Sequence, residues 1–162
     1  MKRLLIVYHT QFGGTGQMAR AALAGARSTL AATPELHVEL RRAADTGPAE
    51  VRAASGLIIA ASENFGGVAG IVKDFFERIY YPCEGDLAGR PCARLICCGN
   101  DGAGALRDLD RIAAGLGLAR VLPDVVYRSG RVAAVHAVPA DVLAQCANTG
   151  ATLAAGLDAG VY

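Results

Sequence analysis

The chain alternates short apolar segments with segments of helical periodicity, and this alternation limits the possible folds more than any other feature. Apolar runs predict buried strands over residues 4–8, 56–61 and 93–98. Continuous runs of this kind are typical of parallel strands covered on both faces. Weaker runs over residues 37–40 and 121–127 predict two more strands, and the polar character of the first places it near an edge of the sheet.

Between the strands, apolar residues recur every three or four positions, as in helices that bury one face. This spacing predicts helices over residues 15–30 (with Leu30 on the buried face), 48–54, 68–80 and 105–116, and a last helix with Pro139 in its first turn. The pattern predicts one α/β domain over residues 1–162, a doubly wound parallel sheet with helices on both faces. The abundance of Ala and Gly suggests close packing of helices on the sheet.

Length and composition agree with one domain of this kind. With 162 residues, 52% hydrophobic and 19% charged, the chain can bury a sizeable core and is not a disordered segment. Sixteen Lys and Arg nearly balance fifteen Asp and Glu, so we expect neither nucleic-acid binding nor a polybasic membrane anchor. No apolar run reaches the roughly 18 residues of a membrane helix, and none fits a signal peptide. We therefore expect a cytoplasmic protein.

The cysteines and histidines give no sign of a metal site. An odd number of cysteines without a secretory signal indicates reduced thiols, and the adjacent pair Cys97 and Cys98 is expected to fill a buried strand. The three histidines lack the spacing of metal ligands. They are His9, His37 and His136.

Three loops are candidate binding segments, because ligands of open parallel sheets bind beyond the carboxyl ends of the strands. Each loop is rich in glycine and polar residues, and each leads into a predicted helix. The first runs from His9 to Gly16, the second from Ser62 to Gly67 and the third from Gly99 to Gly104.

The first loop has the composition of a phosphate-binding loop. Its glycines let several backbone N–H groups converge, Thr10 and Thr15 add hydroxyl donors, and the next helix directs its positive end at the same point. The loop holds no Lys or Arg, which favours a bound monophosphate held by neutral donors. A plain turn that caps the helix is the alternative. The loop lacks the Gly-Lys-Ser/Thr ending of nucleotide-hydrolysing proteins.

These segments resemble the flavin loops of a known family. The run Thr10-x-x-Gly13-Gly14-Thr15 is similar to the phosphate loop of flavodoxin-like proteins, T/S-x-T-G-x-T, with Phe12 where Thr is usual. Residues 62–66 and 73–78 resemble the second flavin loop and its helix in the branch of NAD(P)H-dependent FMN reductases and quinone reductases. Residues 99–102 resemble the third flavin loop of that branch. The resemblance spans roughly residues 3–118.

The resemblance implies a flavodoxin-like fold with five strands in the order 2-1-3-4-5 and a non-covalently bound FMN. The flavin would carry the chemistry, so we assign no catalytic residue. The implied FMN-binding residues are Thr10, Gln11, Phe12, Gly13, Gly14 and Thr15 in the first loop, Ser62, Glu63, Asn64, Phe65 and Gly66 in the second, and Gly99, Asn100, Asp101 and Gly102 in the third.

Several of these residues have simpler alternatives. Phe65 either stacks on the flavin or begins the packing of the following helix. Glu63 is otherwise a solvated loop acid. Asp101 fits a turn beside a helix N-terminus. His9 is expected to have no role. The aromatic residues Phe75, Phe76, Tyr80 and Tyr81 are expected to form core with a partly exposed edge, or else a contact in a homo-oligomer.

The expected function is transfer of electrons from NAD(P)H, through FMN, to a quinone or other small acceptor. One alternative is an electron carrier that docks a redox protein and has no nicotinamide site. The net charge of +1 disfavours the carrier, because such proteins are usually acidic for docking. Another alternative is a flavin-binding module that acts by interaction without turnover.

Overall fold

The computed structural model describes residues 1–29, 35–130, 134–135 and 137–162. Two residues named above, Leu30 and His136, lie outside these ranges. The strands are β1 (Lys2–Tyr8), β2 (Leu36–Arg42), β3 (Gly56–Asn64), β4 (Gly67–Val68), β5 (Pro91–Cys98), β6 (Ala119–Arg120) and β7 (Val125–Arg128). The helices are α1 (Gly14–Ser28), α2 (Pro48–Ala53), α3 (Gly70–Cys83), α4 (Ala103–Leu116) and α5 (Ala140–Ala159), with a 3₁₀ turn at Ala43–Asp45.

The sheet has the predicted topology. Its strands run β2-β1-β3-β5 in parallel, and the fifth position is shared by β6 and β7, which both pair with β5. The α/β class and the order 2-1-3-4-5 are therefore confirmed, and β2 lies at the edge as expected. The described residues form seven strands rather than five, for two reasons. The fifth strand is split near Pro123, which has no N–H to donate, and the short β4 pairs antiparallel with the end of β3.

Helices cover both faces of the sheet. Along β1, Leu5 faces the core shared with α2, α3 and α4, whereas Ile6 faces the core shared with α1 and α5. This alternation follows from the two-residue period of a strand. Phe75 and Phe76 are buried and Tyr81 is 80% exposed, so the prediction of an aromatic core with an exposed edge is confirmed.

Two of the closest glycine contacts join the helices α1 and α5 rather than helix and sheet. A methyl group at Gly25 would lie 1.9 Å from the Ala147 carbonyl oxygen, and one at Gly150 would lie 1.9 Å from the Ala22 carbonyl oxygen. The expectation of close helix-to-sheet packing was therefore incomplete. The two backbones approach so closely only because both positions lack a side chain.

A buried ionic network holds the start of β7. Arg94 in β5 is 4% exposed, and its guanidinium donates two hydrogen bonds of 2.7 Å to the Asp124 carboxylate. A third N–H donates to Asp110 of α4 at 2.5 Å. A buried charge needs such complete pairing. The network fixes β7, whose carboxyl end reaches the site described below.

Several predicted boundaries differ from the structure. It continues β3 through Asn64, where a loop was predicted, and places Pro139 at the cap of α5 rather than in its first turn. The helix predicted from residue 68 begins at Gly70, because Val68 lies in β4. Among the described residues, no helix has the length and apolar character needed to cross a membrane.

Candidate functional site

One cavity of about 520 Å³ lies at the carboxyl ends of β1, β3, β5 and β7. This edge includes the point where the chain passes from one side of β1 to the other, which is where open α/β sheets bind ligands. The volume is in the range of small-molecule sites. The residues of the predicted loops that line it are Gln11, Phe12, Gly14, Thr15, Ser62, Glu63, Asn64, Phe65 and Gly99.

The first loop presents the open N-terminus of α1 to this cavity. Gly13 caps the helix with a φ of 93°, a conformation that favours glycine, and no side chain caps α1. The Thr10 Oγ1 accepts a hydrogen bond from the Gly13 N–H at 3.0 Å, so Thr10 shapes the turn. The first hydrogen bond of the helix runs from the Gln17 N–H to the Gly13 carbonyl. The N–H groups of residues 14–16 therefore have no carbonyl partner within the helix. Such amides are suited to bind an anion.

The floor beneath this loop is uncharged. A methyl group at Gly14 would lie 2.7 Å from the Cys97 Sγ, so the loop passes directly over this thiol. Burial raises the pKa of Cys97, and hydrogen bonds with Ser129 and Thr15 lower it only in part. Burial also raises the pKa of Cys98 to about 11. Both thiols are therefore protonated near neutral pH and do not repel an anion. Both are buried in β5, as predicted, and both also line the cavity.

The second loop is the turn of a tight hairpin between β3 and β4. Asn64 pairs with Gly67, and the two residues between them have positive φ, 52° at Phe65 and 70° at Gly66. Positive φ at both central positions defines a type I′ turn. A left-handed conformation costs a residue with a side chain roughly 1–2 kcal/mol. Phe65 is nevertheless fully exposed, so its predicted packing beneath the next helix is wrong. Stacking on a ligand stays a prediction.

Glu63 bridges the second and third loops. Its Oε2 accepts a hydrogen bond from the Gly102 N–H at 2.9 Å, and its Oε1 accepts one from the Gly104 N–H at 3.0 Å. The alternative of a solvated loop acid is therefore wrong. Asp101 lies in a turn at the same helix start, where its Oδ1 accepts from the Ala103 N–H at 3.0 Å.

Ser62 supplies a buried hydroxyl to the wall of the cavity. The residue is 8% exposed, and its Oγ has no hydrogen-bond partner among the described residues. A buried hydroxyl without a partner is costly, and native structures rarely tolerate it unless a ligand or water bonds to it. Ser62 is therefore a candidate ligand contact.

Six of the predicted residues do not line the cavity, and most of them shape the loops instead. Thr10 and Gly13 bond to each other, Gly66 forms the hairpin turn, and Gly102 caps α4. The six residues are Thr10, Gly13, Gly66, Asn100, Asp101 and Gly102.

Phe12, which replaces the usual Thr, is half exposed at the cavity wall.

Several residues of the cavity wall were not predicted from the sequence. Ser129 and Gly130 follow β7, so the carboxyl-end rule would have found them had it been applied to the fifth strand. Val135 donates its N–H to the Phe12 carbonyl at 2.7 Å and accepts from the Gln17 Nε2 at 2.9 Å. Its position had no local sequence signal, because it depends on a long-range contact. Gly70, at the start of α3, also lines the cavity.

The charged and thiol groups of the site do not form a metal centre. Within the ranges that the structure describes, no three His, Cys, Asp or Glu residues are grouped so that they could hold a metal ion. The cavity is lined by backbone, hydroxyl, amide, thiol and aromatic groups, with Glu63 as its one acidic residue among the described lining residues.

No protein-family model matches this chain. The structure is similar to that of a flavodoxin from the domain Archaea, with a TM-score of 0.76 and 16% identity over 96% of this chain and 98% of that one. The chain has a flavodoxin-like fold. A WrbA-like flavodoxin from Agrobacterium tumefaciens gives a TM-score of 0.72 and 17% identity over 97% of this chain and 98% of that one.

A curated relative connects this flavodoxin-like chain to the reductase branch. It is 31% identical over 98 residues to an "NAD(P)H dehydrogenase (quinone)" from Acidithiobacillus ferrooxidans. The match covers 48% of this chain and 47% of that protein, so it spans about half of each. The resemblance to the quinone reductase branch is confirmed by this similarity.

Proposed function

We propose that this chain binds FMN without a covalent bond and transfers electrons from NAD(P)H to a quinone or another small acceptor. The proposal depends on one observation. A single cavity at the carboxyl edge of a flavodoxin-like sheet contains both an uncapped helix N-terminus and the buried, unpartnered hydroxyl of Ser62. The related protein named as an NAD(P)H dehydrogenase (quinone) supports the choice of reaction.

The cavity fits the two ends of FMN. The amides at the start of α1 and the protonated thiol of Cys97 beneath them suit a phosphate. The hydroxyl of Ser62 and the peptide groups of the second and third loops suit the polar edge of a flat ring. When bound, FMN would supply the hydride and electron chemistry, and the protein would orient and shield it.

The open side of the cavity favours a reductase. Hydride transfer requires a nicotinamide stacked about 3–3.5 Å from the flavin, so one face of the ring must stay accessible. Phe65 and Phe12 are exposed aromatic residues at the cavity, and the chain has no Trp. We infer that neither side chain covers the outer face of a bound ring, which would leave that face open to a nicotinamide.

The hydroxyls of the first loop can be tested by truncation. We expect Thr15→Ala to weaken FMN binding by about 1–3 kcal/mol, the value of a hydrogen bond to a charged group. Thr10→Ala should weaken binding indirectly, because it removes the bond that shapes the turn at Gly13. Fluorescence titration of the apoprotein measures the change. Thr149→Ala is the matched control, because Thr149 bonds to the Gln145 carbonyl within α5, away from the cavity. Equal affinity of the native protein for FMN and riboflavin, which has no phosphate, would contradict the phosphate site.

Direct reduction by a nicotinamide separates the reductase from the carrier. We expect anaerobic mixing of the FMN-loaded protein with NADH or NADPH to bleach the visible flavin absorbance within the time of one turnover, because the ring is open to stacking. Stopped-flow absorbance measures the rate. Dithionite is the control for a reducible flavin. Reduction by dithionite but by neither nicotinamide would favour the electron carrier.

A further inference from the structure

Two helices direct their N-termini toward the cavity region, and their first turns differ. The first amides of α1 lie beside the cavity, and among the described residues no carboxylate caps them; the Thr15 peptide bonds to the uncharged Cys97 thiol. In α4, the amides of Gly102 and Gly104 both donate to the carboxylate of Glu63. A helix N-terminus attracts anions through its free N–H groups and its dipole. The first turn of α1 is therefore open to an anion, whereas the first turn of α4 already binds the Glu63 carboxylate.

Glu63 is held in this position by the hairpin that it belongs to. The Asp108 Oδ2 of α4 accepts a hydrogen bond from the Val68 N–H of β4 at 2.9 Å. A methyl group at Gly104 would lie 1.8 Å from the Gly66 carbonyl oxygen, so the hairpin backbone rests on the first turn of α4. The hairpin and α4 thus contact at three points, and the Glu63 carboxylate is fixed between them.

We propose that Glu63 sets the orientation of a phosphate-bearing ligand by blocking the N-terminus of α4. Its negative charge satisfies the amides of Gly102 and Gly104, beside the Asp101 carboxylate on the Ala103 N–H, and repels a second anion. The phosphate therefore binds at α1, and the uncharged end of the ligand faces the second and third loops. Specificity of this kind comes from a repulsive group as much as from an attractive one. The inference rests on the proposed function for the class of ligand, a flavin phosphate. Glu63 is a positioning residue, not a catalytic one.

Inorganic phosphate, added to the apoprotein, tests this role without a flavin. We expect backbone amide NMR signals of residues 14–16 to shift in the native protein, while those of Gly102 and Gly104 stay unchanged. In Glu63→Ala, both sets should shift, with an affinity for phosphate at α4 that rises about tenfold or more, since a charged competitor is gone. Glu63→Gln keeps an acceptor but loses the charge, so it should give a smaller response at the same amides.

Glu50→Gln is the matched control. Glu50 is also a carboxylate that accepts a hydrogen bond from a backbone N–H at a helix start, that of Gly47 before α2, but it does not line the cavity, so the amides of Gly102 and Gly104 should not respond to phosphate. The proposal is overturned if these amides ignore phosphate in both Glu63 variants, or if they already respond in the native protein. Should Glu63→Ala fail to fold, Glu63→Gln decides the matter.

Titration of the native apoprotein with FMN distinguishes a failure of this proposal from a failure of the proposed function. Absence of FMN binding to the native protein would reject the function, whereas the role of Glu63 is judged by the phosphate response at α4. In Glu63→Ala, we expect the dissociation constant for FMN to rise about tenfold, because the second and third loops lose the carboxylate that joins them.

Discussion

Replacement of Gly25 or Gly150 by alanine should lower the free energy of unfolding by more than about 3 kcal/mol. Each methyl group would lie 1.9 Å from a backbone carbonyl oxygen of the opposite helix, a distance that requires α1 and α5 to separate. Separation would open the core beneath them, which includes the fully buried Met18 and Leu153. Guanidinium denaturation followed by circular dichroism measures the loss.

Gly70→Ala is the control for the helix propensity of alanine. Gly70 begins α3, and a methyl group there has no heavy atom within 4 Å. Alanine is a better helix former than glycine by roughly 1 kcal/mol, so this variant should be as stable as the native protein or slightly more. Unfolding free energies of the Gly25 and Gly150 variants within about 0.5 kcal/mol of the control would show that the helices move apart at little cost.

The parallel sheet between two helical layers could be predicted because hydrophobic periodicity is a local signal, whereas the strand order came from the resemblance to flavodoxin-like proteins. Leu4 to Val7 and Leu57 to Ile59 are buried on both faces, as is typical of strands in such a sheet. The carboxyl-end rule then placed the binding loops at one edge. Nine of the residues predicted for FMN do line the cavity there.

The hairpin of the second loop could not be predicted in the same way. A type I′ turn is usually signalled by Asn-Gly at its two central positions. Here Asn64 stands one position too early and Phe65 takes the left-handed conformation. The bonds that fix the turn come from Asp108, forty residues further along the chain. No local pattern carries that information.

Long-range contacts also decided the role of Glu63. A helix cap is normally sought within three residues of the helix start, but the cap of α4 comes from β3, 39 residues before Gly102. The same explanation applies to Val135, which Gln17 holds across 118 residues of sequence. Tertiary structure, rather than local propensity, positions these two groups at the cavity.

The contact between the hairpin and α4 leads to a second prediction of large effect. We expect Gly104→Ala to weaken FMN binding about a hundredfold, or roughly 2.7 kcal/mol. The new methyl group would lie 1.8 Å from the Gly66 carbonyl oxygen and 3.0 Å from the Glu63 Oε1. The hairpin must therefore shift, and Ser62, Glu63 and Phe65 lose their common arrangement at the cavity wall. Fluorescence titration of the apoprotein with FMN measures the affinity.

Gly47→Ala is the matched control, because Gly47 lies outside the cavity and a methyl group there would make only an ordinary contact, 3.4 Å from the Glu50 Oε2. This substitution should change FMN affinity by less than about twofold, in the range of neutral surface substitutions. A Gly104→Ala protein that remains folded and binds FMN as tightly as the control would show that the hairpin is free to move without loss of the site. If Gly104→Ala loses affinity and the control variant does not, the result would support the conclusion that α4 positions the second and third loops together.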